Sequence, residues 1–167
     1  MAEMTEADAG KKVQRLLKDA HIAMMATRHD DGTMHARPMG TNHAEFEGTL
    51  WFLTDVRSEK VSDIDRHPEV LLTYSDEHKQ NYVSITGQGQ VIRNNPALVH
   101  EHWAEPVRAW FPDGPDDPNI AVIRVDVDRA EYWDSPAGAV VLAYGYVKAA
   151  VTGKPADNVG DNRTVRY

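Results

Sequence analysis

The sequence contains no cysteine, which excludes disulfides, thiolate nucleophiles and Cys-ligated zinc or iron–sulfur centres. It also has no long apolar run. The nearest approach, Ala137 to Val151, is interrupted by Gly138 and Gly145 and carries Lys148, so no membrane-spanning helix is expected. The opening MAEMTEADAG lacks the basic segment and apolar stretch of a secretory leader. Positive charge is scarce: 18 Lys and Arg face 26 Asp and Glu, for a net charge of -8 with the eight His neutral. That balance opposes general binding to nucleic acid or to an anionic membrane. An anionic ligand must therefore be held by a local cluster of cations and backbone amides. Internal repeats and linkers are absent too. What remains is 167 residues with an apolar share of 41%, enough for one domain with a sizeable core. A soluble cytoplasmic protein is expected, with one domain over residues 1–150 and a tail over 151–167.

Hydrophobic spacing organises the chain. Val13, Leu16, Leu17 and Ala20 recur at intervals of three and four, predicting an amphipathic helix from Thr5 to Ala20. His21 to Arg28 is short and apolar, and Asp30-Asp31-Gly32 signals a tight turn into a returning strand over about Thr33 to His43. Thr49 to Thr54 reads as a third strand, Ser58 to Arg66 as a short helix ended by His67-Pro68, and Val70 to Ser75 with Tyr82 to Arg93 as a further hairpin. In the last of these, Val83, Ile85, Gly87, Gly89 and Val91 alternate with polar residues, the period of a half-buried strand. Asn95-Pro96 opens a helix, and Trp110 to Asn119, with three prolines and one glycine, is a loop. Ile120 to Trp133 is a long strand and Val140 to Val151 a last one. The Gly-, Asn- and Asp-rich remainder from Thr152 is expected to carry little regular order. Strands joined by tight turns with few helices between them predict an α+β fold built on an antiparallel barrel.

Two clusters carry the chemistry: Arg37-Pro38-Met39 and Thr54-Asp55-Val56-Arg57-Ser58-Glu59-Lys60. The second sets the Thr54 and Ser58 hydroxyls and the Lys60 ammonium around a strand-to-helix turn, where free helix N–H groups point the same way. Such a set suits a phosphate monoester, and Arg37 on a neighbouring strand adds a bidentate donor. The same residues also describe an ordinary helix cap with solvated cations.

Arg37-Pro38-Met39, a strand ending Trp51-Phe52-Leu53-Thr54, and Ser58-x-Lys60 resemble the FMN-binding pattern of the pyridoxamine 5'-phosphate oxidase-like split β-barrel flavoproteins. Trp110-Phe111-Pro112, Asp116-Asp117-Pro118-Asn119 and Ala130-Glu131-Tyr132-Trp133-Asp134 are similar to the bacterial general stress protein branch of that superfamily. The resemblance implies that Lys60 and Ser58 hold the FMN phosphate, with Arg37 reaching phosphate or ribityl oxygens. It further implies that Pro38 and Met39 lie along the isoalloxazine edge and that Phe52, Leu53 and Thr54 line the flavin. It implies a homodimer with two flavin sites at the interface. Trp110 is then either an aromatic wall supplied to the partner's site or an anchor of its loop to its own core. True pyridoxamine phosphate oxidases carry further basic residues near the C-terminus and a Gln where this chain reads Asn81-Tyr82-Val83. Here Arg163 and Arg166 fit no such motif and the Gln is missing, so the vitamin B6 reaction is not expected.

No metal site is expected. His100-Glu101-His102 sets its ligands two apart on a helix, in divergent directions. Asp113, Asp116 and Asp117 lack the spacing of a calcium loop. His35 and His43 share the strand of Arg37 and either approach the flavin or face solvent. Two functions follow from the resemblance: an FMN-dependent oxidoreductase with a nicotinamide or small organic electron donor, or a non-catalytic flavin-storing stress protein. A third, outside the flavins, is a barrel for another phosphorylated ligand; a deazaflavin is the cofactor alternative.

Overall fold

A computed structural model describes residues 6–41, 46–134 and 161–167. The element order is α1 (Glu6–Asp19), β1 (Ile22–Arg28), β2 (Met34–Gly40), β3 (Thr49–Asp55), α2 (Glu59–Arg66), β4 (Glu69–Asp76), β5 (Asn81–Ile92), α3 (Pro96–His102), a 3-10 turn (Glu105–Ala109), β6 (Ile120–Asp134) and β7 (Asp161–Arg166). All described strands join one antiparallel sheet in the order β2-β1-β4-β5-β6-β3, with β7 added on β6. It is the expected α+β split barrel, with β2 and β3 at the two ends of the strand path.

Local chemistry sets the turns. In the β1–β2 hairpin, Asp31 accepts from the Thr33 amide at 2.9 Å, and Gly32 takes φ +84°, a conformation open to glycine and strained for other residues. In α3, Pro96 fills the first turn and the Asn95 side chain accepts from the Leu98 amide at 3.1 Å, closing one orphan donor. The ladder between β5 and β6 bulges at Thr86/Gly87. A Cβ on Gly87 would lie 2.3 Å from the Asp126 carbonyl oxygen, so only glycine allows the strands to approach so closely there. At this bend β6 changes partner on its other edge. Its first half pairs with β3 and its second half with β7.

Two apolar clusters result. The larger fills the barrel: Val13 and Leu17 of α1 meet Ala23, Met25, Phe52, Leu72, Ile85, Ile123, Val125 and Tyr132. The smaller lies outside β3 and β6, where α3 and the Pro-rich loop place Val99 and Phe111 over Ile120 and Val122, with Trp51 and Leu53 packed beside them. The start of β6 is thus buried on both faces.

Three sequence expectations are refined. The second helix starts one residue later than expected, at Glu59, with Ser58 before it as N-cap. Residues 105–109 form a 3-10 turn. The end of the tail is not loop: Asp161–Arg166 pairs with β6, and Val165 is buried in the main core. Thr164 and Val165 favour extended backbone, and β6 offers them an open edge. The strand expected over Val140 to Val151 falls outside the described residues. No described helix is long and apolar enough to cross a membrane.

Candidate functional site

Between the end of β2, β3, the start of α2 and the loop after α3 lies a cleft of about 650 Å³, within the usual size of a small-molecule site. Its walls are largely apolar: Ile22, Pro38, Met39, Trp51, Leu53, Pro106, Val107, Trp110 and Phe111. Thr54, Asp55 and Lys60 form one end, and His21 and His102 also reach it.

The polar end grows out of the β3–α2 turn. Lys60 Nζ donates to Thr54 Oγ1 at 3.0 Å, and Thr54 Oγ1 lies 3.3 Å from Ser58 Oγ. Ser58 is the residue before α2, but its hydroxyl donates to the Asp55 carbonyl at 2.8 Å and makes no side-chain cap to the helix. Burial pushes the Lys60 ammonium below its ordinary pKa, and repulsion from Arg37 adds to this, against a weaker pull from Asp55. Among the described residues Lys60 has no carboxylate within 4 Å. A desolvated ammonium, repelled by a second cation and lacking a salt-bridge partner, is a place where an anion gains most.

Arg37 is opposite Met25 in the β1–β2 ladder and points inward, with its side chain 14% exposed. Its Nη1 donates to Thr27 Oγ1 at 2.6 Å. Thr27 in turn donates to Asp63 Oδ2 at 2.8 Å, and Asp63 lies 3.9 Å from Arg37 Nη2. Burial lowers the Arg37 pKa while Asp63 and Glu59 oppose that. The guanidinium is held by buried partners, and it lies close enough to Lys60 to repel its ammonium.

The candidates from the sequence divide. Pro38, Met39, Leu53, Thr54, Lys60 and Trp110 border the cleft; Arg37 and Ser58 do not line it, Ser58 lying against Thr54 and Arg37 against Thr27. Phe52 does not reach it: the side chain is 1% exposed and belongs to the barrel core. Successive side chains of a strand face opposite ways, so Trp51 and Leu53 turn to the cleft and Phe52 turns away. Trp110 is 70% exposed and borders the cleft of its own chain, while the neighbouring Phe111 is the side chain that anchors the loop. His35 is exposed and lies off the cleft; His43 falls outside the described residues.

Two features escaped the sequence reading. Trp51 and His102 stack with ring centroids 4.6 Å apart and an interplanar angle of 17°, a contact between distant segments that no local pattern announces. The Thr27–Asp63 pair did leave a signal. Thr27 follows Ala23 and Met25 on the inward face of β1, and an inward hydroxyl needs a buried partner.

The chain was compared with known proteins. The sequence profile of the pyridoxamine 5'-phosphate oxidase like family matches residues 8–157. General stress protein 26 of Bacillus subtilis is 29% identical over 126 residues, which span 74% of this chain and 86% of that protein. Among solved structures, a candidate general stress protein 26 from Jannaschia sp. CCS1 superposes with a TM-score of 0.75 at 22% identity, covering 96% of this chain and 99% of that one. The general stress FMN/FAD binding protein from Xanthomonas citri gives a TM-score of 0.66 at 27% identity, over 79% of this chain and 92% of the other. With the profile spanning most of the chain, this protein belongs to the pyridoxamine 5'-phosphate oxidase like family.

Proposed function

We propose that the protein is a cytoplasmic FMN-dependent oxidoreductase that acts in the stress response as a homodimer. The observation that carries this reading is a desolvated Lys60 ammonium, repelled by nearby Arg37, at the polar end of an apolar cleft. FMN has the complementary form, a phosphate dianion joined by a polar ribityl chain to a flat, largely apolar ring. In the proposed mode Lys60 binds the phosphate, with Thr54 and Ser58 beside it and Arg37 behind. Pro38, Met39 and Leu53 bound the ring. Phe52 supports that wall from the core without touching the ring. The flavin, once bound, supplies two-electron redox chemistry. The chain's own residues bind and orient it and shield one face from water.

Pyridoxamine phosphate is not the proposed substrate. Arg163 and Arg166 sit on β7, paired with Tyr132 and Arg129, and neither borders the cleft. Dimerisation is supported by Ile22, Met24 and Met34, which project from β1 and β2 with 49%, 41% and 59% exposure. Outward apolar residues on neighbouring strands suit an interface. The likeness to general stress proteins supports the stress role.

The test is a titration with FMN, followed by quenching of flavin fluorescence, then anaerobic mixing of the loaded protein with NADH or NADPH. Saturation at one flavin per chain and bleaching of the flavin band support the reading. Saturation without reduction by any donor points to storage. Failure to bind FMN removes the flavin reading, and titration with a deazaflavin then decides the alternative. Sedimentation at the mass of one chain with flavin bound contradicts the shared interface.

A further inference from the structure

We propose that His29, His35 and Glu59 form a binding site for one divalent transition-metal ion of the zinc type. The three residues come from separate elements: the β1–β2 turn, β2 and the first residue of α2. One ligand atom from each lies within 4.8 Å of the others. The two imidazole rings are 5.9 Å apart by centroid, and His35 Nδ1 lies 3.9 Å from Glu59 Oε2.

A buried carboxylate orients the set. His29 Nδ1 bonds to Asp63 Oδ1 at 2.8 Å, and Asp63, 6% exposed, also accepts from Thr27. With Nδ1 engaged, Nε2 is the ring nitrogen left to bind. Metal-bound histidines are commonly held this way, by a carboxylate on the second ring nitrogen. Two imidazoles and one carboxylate, with solvent in the fourth position, make a set suited to zinc and similar ions rather than to magnesium or calcium.

Ligand bonds of ~2.0–2.1 Å in a tetrahedron set the ligand atoms ~3.3 Å apart, so the site must contract from its present span. The side chains that have to move are His35 and Glu59, 52% and 77% exposed; His29 is the fixed point. A simple surface ion pair would use only His35 and Glu59. It gives no reason for a third ligand pinned by a buried acid. The site does not depend on the flavin reading, although Glu59 directly precedes Lys60 and Asp63 serves both His29 and, through Thr27, Arg37.

The experiment uses the full-length chain without a polyhistidine tag, stripped with chelator and titrated calorimetrically with Zn2+ and, separately, with Mg2+. One Zn2+ per chain is expected, with no saturable Mg2+ binding. His35→Ala and Glu59→Gln should each weaken Zn2+ by at least ~10-fold, the lower end of what loss of even an outer partner costs. Cobalt(II) should give a visible d–d band in the wild type that is lost in His35→Ala. His35→Ala should keep the wild-type affinity for FMN, so the metal and flavin readings fail separately. Wild-type Zn2+ affinity in His35→Ala, or no saturable Zn2+ binding to the wild type, overturns the site.

Discussion

Replacing Lys60 by Met removes the ammonium and keeps most of the aliphatic stem. In the FMN-free protein that charge is disfavoured by burial and by Arg37, and among the described residues its hydrogen-bond partner is the Thr54 hydroxyl at 3.0 Å. Its loss should therefore leave the unfolding midpoint of the flavin-free protein unchanged or raise it. FMN binding should suffer instead. A charge-assisted hydrogen bond contributes ~1.5–3 kcal/mol, which is a ~10- to 150-fold rise in Kd. Riboflavin, which lacks the phosphate, should lose no more than ~2-fold, since the bond that is removed contributes nothing to it.

The pH dependence has a definite sign. The Lys60 pKa is lowered from 10.5 in the fold, so between the folded and ordinary values the unfolded chain binds more protons. Stability of the flavin-free protein then rises as pH climbs through that window towards 10.5. A bound phosphate dianion raises the folded value, so FMN binding just below pH 10.5 should take up protons in the wild type and not in Lys60→Met. The assays are fluorescence titration with both flavins, thermal unfolding, and calorimetry in buffers of different ionisation enthalpy. Wild-type FMN affinity in Lys60→Met, or an equal loss for riboflavin, refutes the phosphate assignment.

Three further outcomes are expected. Phe52→Ala should destabilise the fold by ~3–5 kcal/mol as a core truncation while the folded fraction keeps its FMN affinity; denaturant unfolding and flavin titration separate the two effects. Deleting residues 161–167 should lower the melting temperature by roughly 5–15 °C, because Val165 leaves the core and the edge-on contact of Tyr167 with Phe46, at 5.2 Å, is lost. Asp55 should titrate at about 2, held there chiefly by side-chain hydrogen bonds from Arg57. Arg57→Ala should return it towards 3.8 in an NMR titration. The stabilisation from this pair is present above pH 3.8 and fades as pH falls through about 2.

How far these features could be read in advance depended on range. The amphipathic spacing of α1 and the alternation of β5 are local, and both appear in the fold as read. The grouping of Thr54, Ser58 and Lys60 is legible because the cluster is contiguous and the strand-to-helix turn orients it. The inward turn of Phe52 is not legible in a family pattern, which marks a run of residues, whereas strand geometry sends alternate side chains to opposite faces. The strand Asp161–Arg166 is not legible for a different reason. Its composition is polar, and the edge of β6 that pairs with it lies some thirty residues earlier, between Arg129 and Asp134. The Trp51–His102 stack and the His29–His35–Glu59 cluster depend on strands and helices meeting across the fold, which periodicity does not encode.

The most direct measurement is the crystal structure of the protein loaded with FMN. The phosphate is expected within hydrogen-bond distance of Lys60 Nζ, with Arg37 behind it and the ring against Pro38, Met39 and Leu53. Flavin bound outside this cleft, or inside it with the phosphate away from Lys60, would contradict the assignment.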